Sequence, residues 1–384
     1  MSKKPKQTIV VSGINMVEGG ILSILSDCLA YLDTYLHQDY NIVALVHKKS
    51  FFQTKHVTYI EYEDAKSSWF RRIWYEYFYF KKLSRELSPL LWLSLHDMSP
   101  NIDAKIKAVY CHNSTPFYST TLETLKMEPK LVAFSAFYKY LYRINIKKND
   151  YIIVQQKWLR EEFKKLFNVD NIIVSHPTVN VQPGSAILNH SKKLLAQNGL
   201  KQNFIFFYPS FPRVFKNFEV AFEASKLLQQ RGYHNFKLIV TLAGNENKYA
   251  AHLYRLYKND PLIEWKGLLP RNEVFDIYAE ADCLLFPSKL ETWGLPITEF
   301  REYNKPMLLA NLPYAKETAE GYSKAKFVEP DNPPKLADAM EAALNNCLVF
   351  DKTECENQPR TKLEVVGWKE LFSVLLYKNE GQHV

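Results

Sequence analysis

Residues 287–299 read PSKLETWGLPITE. The run before them, residues 283–286, is short and apolar and is stopped by Pro287, so a strand ends there. Glu291, Thr292, Trp293 and Gly294 then form a loop, and Leu295-Pro296 opens a helix. Proline suits a first helical turn, where its missing N–H takes no bond from the helix. Strand, loop and helix in this order is the repeating unit of a parallel α/β sheet. The free N–H groups of such a helix start attract anions. Glu291 lies on the loop and Glu299 about one turn into the helix, so both carboxylates are placed to face one bound molecule. Carboxylates accept hydrogen bonds well from hydroxyl groups. The pattern therefore suits a phosphate on the helix start with hydroxyl-bearing groups on either side.

The same alternation runs outward in both directions. Apolar runs at 204–208, 236–242, 262–266, 283–286, 306–310 and 326–328 predict strands, and 218–231, 271–281, 335–345 and 363–377 predict helices. Nearer the start, 8–12 predicts a strand, followed by Gly13, Glu18-Gly19-Gly20 and a helix over 21–36. Further strands are expected at 41–46, 57–59, 91–95, 108–111, 131–135 and 151–154, with a dense aromatic and basic helical stretch at 67–92. Between the halves, residues 175–203 carry Pro, Gly, Asn and Ser punctuation. The expected organisation is a first doubly wound α/β domain over 1–175, a linker at 176–203, a second such domain over 204–358, and a C-terminal helix over 359–384 that returns toward the first domain. Ligands of such sheets bind at the carboxyl ends of the strands, so a central cleft between the domains is the expected site.

A chain of 384 residues with 23% charged and 47% hydrophobic residues has the composition of a folded protein and excludes wholesale disorder. The five cysteines are odd in number and include no CxxC, so neither a disulfide framework nor a zinc site is suggested, and a reducing, cytoplasmic compartment is expected. No run of 18 apolar residues predicts a transmembrane helix, and no signal-peptide pattern opens the chain. Residues 1–180 hold 24 Lys and Arg against 17 Asp and Glu, and residues 181–384 hold 25 against 24, so the +8 net charge sits almost wholly in the first half. An anionic partner is expected there.

E-T-W-G-L-P-I-T-E resembles the E-x7-E signature of glycosyltransferase family 4, retaining enzymes of GT-B fold. The resemblance implies two Rossmann-like domains, no metal, no cofactor, and a nucleotide-sugar as substrate. It implies that Glu291 meets the donor sugar's hydroxyls, that Glu299 meets the ribose, and that backbone amides of Trp293, Gly294 and Leu295 hold the diphosphate. Residues 208–224, YPSFPRVFKNFEVAFEA, resemble the family segment whose Lys and Arg neutralise that diphosphate, here Lys216 with Asn217 beside it, and Arg213. Arg213 stands three residues before Lys216, where the common family spacing is five. Glu18-Gly19-Gly20 resembles the first-domain glycine loop, which places Gly19 and Gly20 against the donor. VYCHNSTPF resembles the segment whose His, here His112, reaches the sugar near the reacting carbon. His96-Asp97, after another strand, is the second choice, on the acceptor side.

No D-x-D triplet, HExxH or G-x-S-x-G occurs, so neither a carboxylate-held metal nor a serine hydrolase is indicated. Within 67–92, five cations stand among nine aromatics, a mixture suited to an anionic membrane surface as well as to packing in the first domain's core. No nucleic-acid-binding motif accompanies them. The expected function is sugar transfer from a UDP-, GDP- or dTDP-sugar to a saccharide or lipid-linked acceptor hydroxyl, with retention, in bacterial surface polysaccharide or glycolipid synthesis on the cytosolic membrane face. The alternatives are a nucleotide-sugar 2-epimerase on the same fold and a non-catalytic nucleotide-sugar-binding scaffold.

Overall fold

The computed structural model describes residues 5–177, 203–353, 361 and 363–376. Of the expected linker, residues 178–202 lie outside the described residues, as do 359, 360, 362 and 377–384 of the expected tail. The chain forms two compact units. One comprises Met1–Pro116, Ala136–Thr178 and Gln358–Val384, the other Phe117–Ser135 and Val179–Asn357. Phe117–Ser135, within the first domain by sequence, thus packs with the second unit.

The first unit contains β1 (Gln7–Gly13), β2 (Tyr40–Val46), β3 (Val57–Glu61), β4 (Leu91–Ser94), β5 (Ile106–Tyr110), β6 (Tyr151–Val154) and β7 (Ile172–His176). The second contains β8 (Phe204–Tyr208), β9 (Phe236–Val240), β10 (Ile263–Trp265), β11 (Cys283–Phe286), β12 (Met307–Ala310) and β13 (Ala325–Val328). A last strand, β14 (Glu364–Val366), belongs to the first unit. The sheet orders are β14-β7-β6-β5-β4-β1-β2-β3 and β10-β9-β8-β11-β12-β13. Every pairing is parallel.

Parallel strands are covered on both faces and so read as continuous apolar runs. In β1, Ile9 and Val11 join one core with Leu25, Cys28 and Leu29 of α1 (Gly19–Tyr35). Val10, one residue out of phase, joins the opposite core with Phe80 and Trp92. The chain order reverses between β1 and β4 in the first sheet and between β8 and β11 in the second, which opens a crevice at the carboxyl ends of each pair.

Two expectations need correction. Residues 131–135 are not a strand but part of α5 (Pro129–Arg143), which follows α4 (Leu122–Met127). Leu131, Tyr138, Leu141 and Tyr142 are buried at helical spacing, and the four-residue apolar run Leu131–Phe134 hid that period. The stretch 67–92 is a broken helix: α2 (Trp69–Trp74), a π-turn (Tyr75–Tyr79) and α3 (Phe80–Leu87), ahead of β4. Arg72 is buried, Arg71 pairs with Asp64, Lys81 and Arg85 share Asp103, and Lys82 pairs with Glu86.

Candidate active site

In the second unit, the loops leaving β8 and β11 lie side by side, tied by the Lys289 N–H donating to the Phe215 carbonyl at 2.7 Å. Lys216 closes a single 3-10 turn, Val214–Lys216. The Tyr208 hydroxyl donates to its carbonyl. The Lys216 ammonium lies 2.5 Å from Glu291 Oε1. It also stands over the Phe215 and Phe286 rings, 5.5 and 5.9 Å from their centres. The side chains of Lys216 and Glu291 are only 15% and 13% exposed, so this ion pair is weakly screened.

Gly294 has φ +85°, a conformation that side-chain-bearing residues rarely adopt. A Cβ there would also crowd Ile297 Cδ1 at 3.3 Å. The glycine turns the chain into the helix Leu295–Arg301, with proline in its first turn. The Trp293 indole donates to Thr298 Oγ1 at 2.9 Å, and the Thr318 hydroxyl donates to the Trp293 carbonyl. The backbone between the two glutamates is thus fixed from both sides.

Glu299 does not stand free. Arg271 donates to Oε1 at 3.0 Å and the Tyr278 hydroxyl to Oε2 at 3.1 Å. Burial pushes the Glu299 carboxyl up, while Arg271 and Tyr278 pull it back. Arg213 is held by a carboxylate as well: its Nε lies 2.9 Å from Glu128 Oε1, and Glu128 Oε2 accepts from the Val214 N–H at 2.7 Å. Asn217 is a strut, its amide donating to the Pro330 carbonyl at 2.6 Å and the Pro287 carbonyl at 3.3 Å. Arg271, Tyr278 and Glu128 were not among the residues expected from sequence, because the partners they meet are remote along the chain.

In the first unit, Gly19 has φ +66°, and a Cβ built on Gly19 or Gly20 meets nothing within 4 Å. The space beside this loop is therefore open within the chain. His96 is buried among Ser12, Arg72 and Glu76. Arg72 faces its Nδ1 at 3.1 Å, which makes Nδ1 the acceptor and leaves the proton on Nε2, 3.1 Å from Ser12 Oγ and 3.3 Å from Glu76 Oε1. Burial, then Arg72 and His112, hold the His96 imidazole well below its ordinary range. Asp97, at φ +68°, accepts on Oδ1 from the His112 N–H (2.5 Å), the Asn113 N–H (3.1 Å) and the Tyr142 hydroxyl (2.8 Å). His96 is thus enclosed by its partners, and Asp97, half-buried, shapes the loop that carries His112. Tyr110 stacks on the His112 ring at 4.3 Å, and the buried Nε2 of His112 has no hydrogen-bond partner among the described residues. Burial lowers the His112 pKa, with Asp97 opposing.

Lys216, Glu291 and the Trp293–Leu295 turn are thus brought together in the second unit, and His112, Asp97 and His96 in the first. Among the described residues no group of three or more His, Cys, Asp and Glu is placed to hold a metal ion, and no helix is long and apolar enough to cross a membrane.

Residues 191–372 match the sequence model of the family described as glycosyl transferases group 1. No curated protein matches the sequence. Among solved structures, the chain is similar to a sucrose-phosphate synthase from Thermosynechococcus elongatus, with TM-score 0.63 and 14% identity over 89% of this chain and 90% of the other. It is similar to the lipopolysaccharide outer core galactosyltransferase WaaB, with TM-score 0.65 and 12% identity over 97% and 99%. It is also similar to Anabaena HepE in complex with UDP-glucose, with TM-score 0.55 and 12% identity over 88% and 90%. The fold is GT-B. The family match over residues 191–372 supports glycosyl transfer, and the solved structures support the fold.

Proposed function

We propose that the protein transfers a sugar from a nucleotide-sugar to an acceptor hydroxyl with retention at the anomeric carbon, as an enzyme of glycosyltransferase family 4. The observation that carries this is the Lys216–Glu291 pair at the crevice of the second sheet, beside the Gly294 turn. A diphosphate arriving there replaces Glu291 as the counter-charge of Lys216. Glu291 is then released to accept hydrogen bonds from the sugar hydroxyls. As the bond from the anomeric carbon to the phosphate oxygen breaks, charge grows on the leaving diphosphate. Lys216, Arg213 and the amides of Trp293, Gly294 and Leu295 stabilise that charge. The acceptor oxygen bonds to the same face of the carbon, and its proton passes to the leaving phosphate. Glu299 holds the ribose by exchanging its bonds to Arg271 and Tyr278. His112, which the family resemblance assigns to the contact near the reacting carbon, is neutral, and its Nε2 has no partner among the described residues.

No metal or cofactor enters this scheme, because cationic side chains and amides carry the phosphate charge. UDP is the first nucleotide to try, since HepE is described with UDP-glucose and with UDP. GDP and dTDP donors follow. The acceptor is a saccharide or a lipid-linked sugar of bacterial surface polysaccharide or glycolipid synthesis, met in the cytoplasm at the membrane face.

A panel of UDP-, GDP- and dTDP-sugars, scored by protection against thermal unfolding, identifies the donor through ligand-linked stabilisation. Product configuration, read by NMR of the anomeric proton, then separates transfer with retention from transfer with inversion. Epimerised donor without transfer would mark the 2-epimerase alternative, and binding without turnover the scaffold alternative. Protection by no nucleotide-sugar would overturn the proposal.

A further inference from the structure

Large apolar side chains in solvent are concentrated on two neighbouring elements. Phe70 is 85% exposed, Trp74 49% and Phe78 67% along α2 and the π-turn. Phe137 is 42% exposed, Tyr140 68% and Ile144 44% along and just beyond α5. Trp69 joins the two sets: its ring meets Phe137 edge-on at 5.3 Å. Exposed rings on two elements linked in this way are a concentration that soluble surfaces keep small unless something covers it.

The cations of α2 and α3 are buried or neutralised by Asp64, Glu86 and Asp103. Residues 129–149, in contrast, contain Lys130, Lys139, Arg143, Lys147 and Lys148 and no acidic residue. Lys139, Arg143, Lys147 and Lys148 are exposed, and among the described residues they form no ion pair. At helical spacing, Lys139 and Arg143 are four residues apart and lie together on the Tyr140 side of the line of Phe137, Tyr140 and Ile144. Rings that sink and cations left unpaired beside them suit a surface that is apolar underneath and negatively charged on top.

We propose that this patch docks the protein on an anionic lipid bilayer, with Phe70, Trp74, Phe78, Phe137 and Tyr140 entering the headgroup boundary and the four unpaired cations meeting lipid phosphates. The docking deepens the lipid-borne acceptor of the proposed function but does not need sugar transfer in order to be tested. Each cation near an anionic surface contributes about fivefold to binding at low salt, so the four together contribute about two to three orders of magnitude.

The test is co-sedimentation of the full chain with vesicles of phosphatidylglycerol and phosphatidylcholine, beside phosphatidylcholine alone, at low and high salt. Wild type is expected to bind the anionic vesicles, to be released by salt, and to show blue-shifted tryptophan fluorescence when bound. Changing Lys139, Arg143, Lys147 and Lys148 to Gln should weaken binding about a hundredfold or more, and Phe70→Ser with Phe78→Ser about tenfold. Arg71→Gln with Asp64→Asn, which removes an ion pair and keeps the net charge, should change it little. Nucleotide protection of each variant, measured without lipid, reports folding and the donor reading separately. Absence of wild-type binding to anionic vesicles at low salt would overturn the proposal. So would binding that survives the fourfold change, or self-association through Phe70 and Phe78 without lipid binding, which would assign the patch to a protein partner.

Discussion

Glu291→Ala tests the site at its centre. On sequence alone the substitution is a loop truncation of little structural cost, but the structure changes that expectation. Removing the carboxylate strands the Lys216 ammonium in a pocket where it is only 15% exposed. Breaking a fully buried pair costs about 3–5 kcal/mol. Here each partner keeps roughly a seventh of its side chain in solvent, so about 2 kcal/mol is expected. For a unit of this size that lowers the melting temperature by about 4–8 °C. A bound diphosphate restores a counter-charge to Lys216, so UDP should raise the melting temperature of the variant by more than it raises that of wild type. In catalysis the loss of two charge-assisted hydroxyl contacts, about 1.5–3 kcal/mol each, predicts a fall of about 10²–10⁴ in kcat/KM. Glu291→Gln keeps an acceptor for Lys216 and should fall between the two in stability. The assays are calorimetry with and without UDP and a coupled measurement of nucleotide release. A variant that melts and turns over like wild type would refute both the ion pair's weight and the residue's role.

Activity is expected to persist in EDTA, since the cations proposed to meet the diphosphate are protein side chains; complete loss, restored by Mg²⁺ or Mn²⁺, would expose a missed metal site. Glu76 is enclosed, and burial pushes its carboxyl from 4.5 up to about 8 against the pull of Arg72. Folding therefore favours its neutral form, and its contribution to stability is full below about pH 4.5 and declines as pH rises through about 8. Glu76→Gln should gain stability over wild type across that window and little below it, and urea unfolding at the two ends measures the difference; parallel profiles would count against the shift. Asp97→Ala removes one acceptor from two backbone N–H groups and the Tyr142 hydroxyl, which predicts a loss of about 2–4 kcal/mol. Amide exchange at His112 and Asn113 should accelerate in that variant, and unchanged protection there would remove Asp97 from its supporting role.

The strands were legible because parallel strands covered on both faces leave unbroken apolar runs. Cys283–Phe286 and Phe204–Tyr208 were placed to the residue for that reason. Leu131 to Ser135 misled because its four apolar residues fit a strand as well as one turn of α5. The three-residue β14 is too short to carry a period at all. At the candidate site, residue types and the E-x7-E spacing were visible, but what each side chain is bonded to was not. Glu299 meets an arginine 28 residues earlier, and Glu128 reaches Val214 from 86 residues away. His96-Asp97 shows the same limit: strand ends announce a polar pair, but only the packed structure reveals that His96 is enclosed and that Asp97 bonds the His112 and Asn113 amides.

The edge strand β14 also bears on how the protein is made. It lies parallel to β7, from Glu364 opposite Val174 to Val366 opposite His176, and it seats Leu371, Phe372 and Leu375 in the core formed by β1, β2 and α1. Arg160 on the helix Lys157–Phe167 grips Glu364 at 2.8 Å. A ribosome therefore finishes seven strands of the first sheet and then the entire second unit before it supplies the eighth strand. At 5–20 residues per second, that is an interval of about 10–40 s. Throughout it, β7 offers an open row of amides and carbonyls beside an uncovered apolar surface. Nascent chains in this state are natural clients for a holdase, and stop codons that remove only the last twenty-odd residues should yield inclusion bodies, although every residue of the candidate site has already been translated.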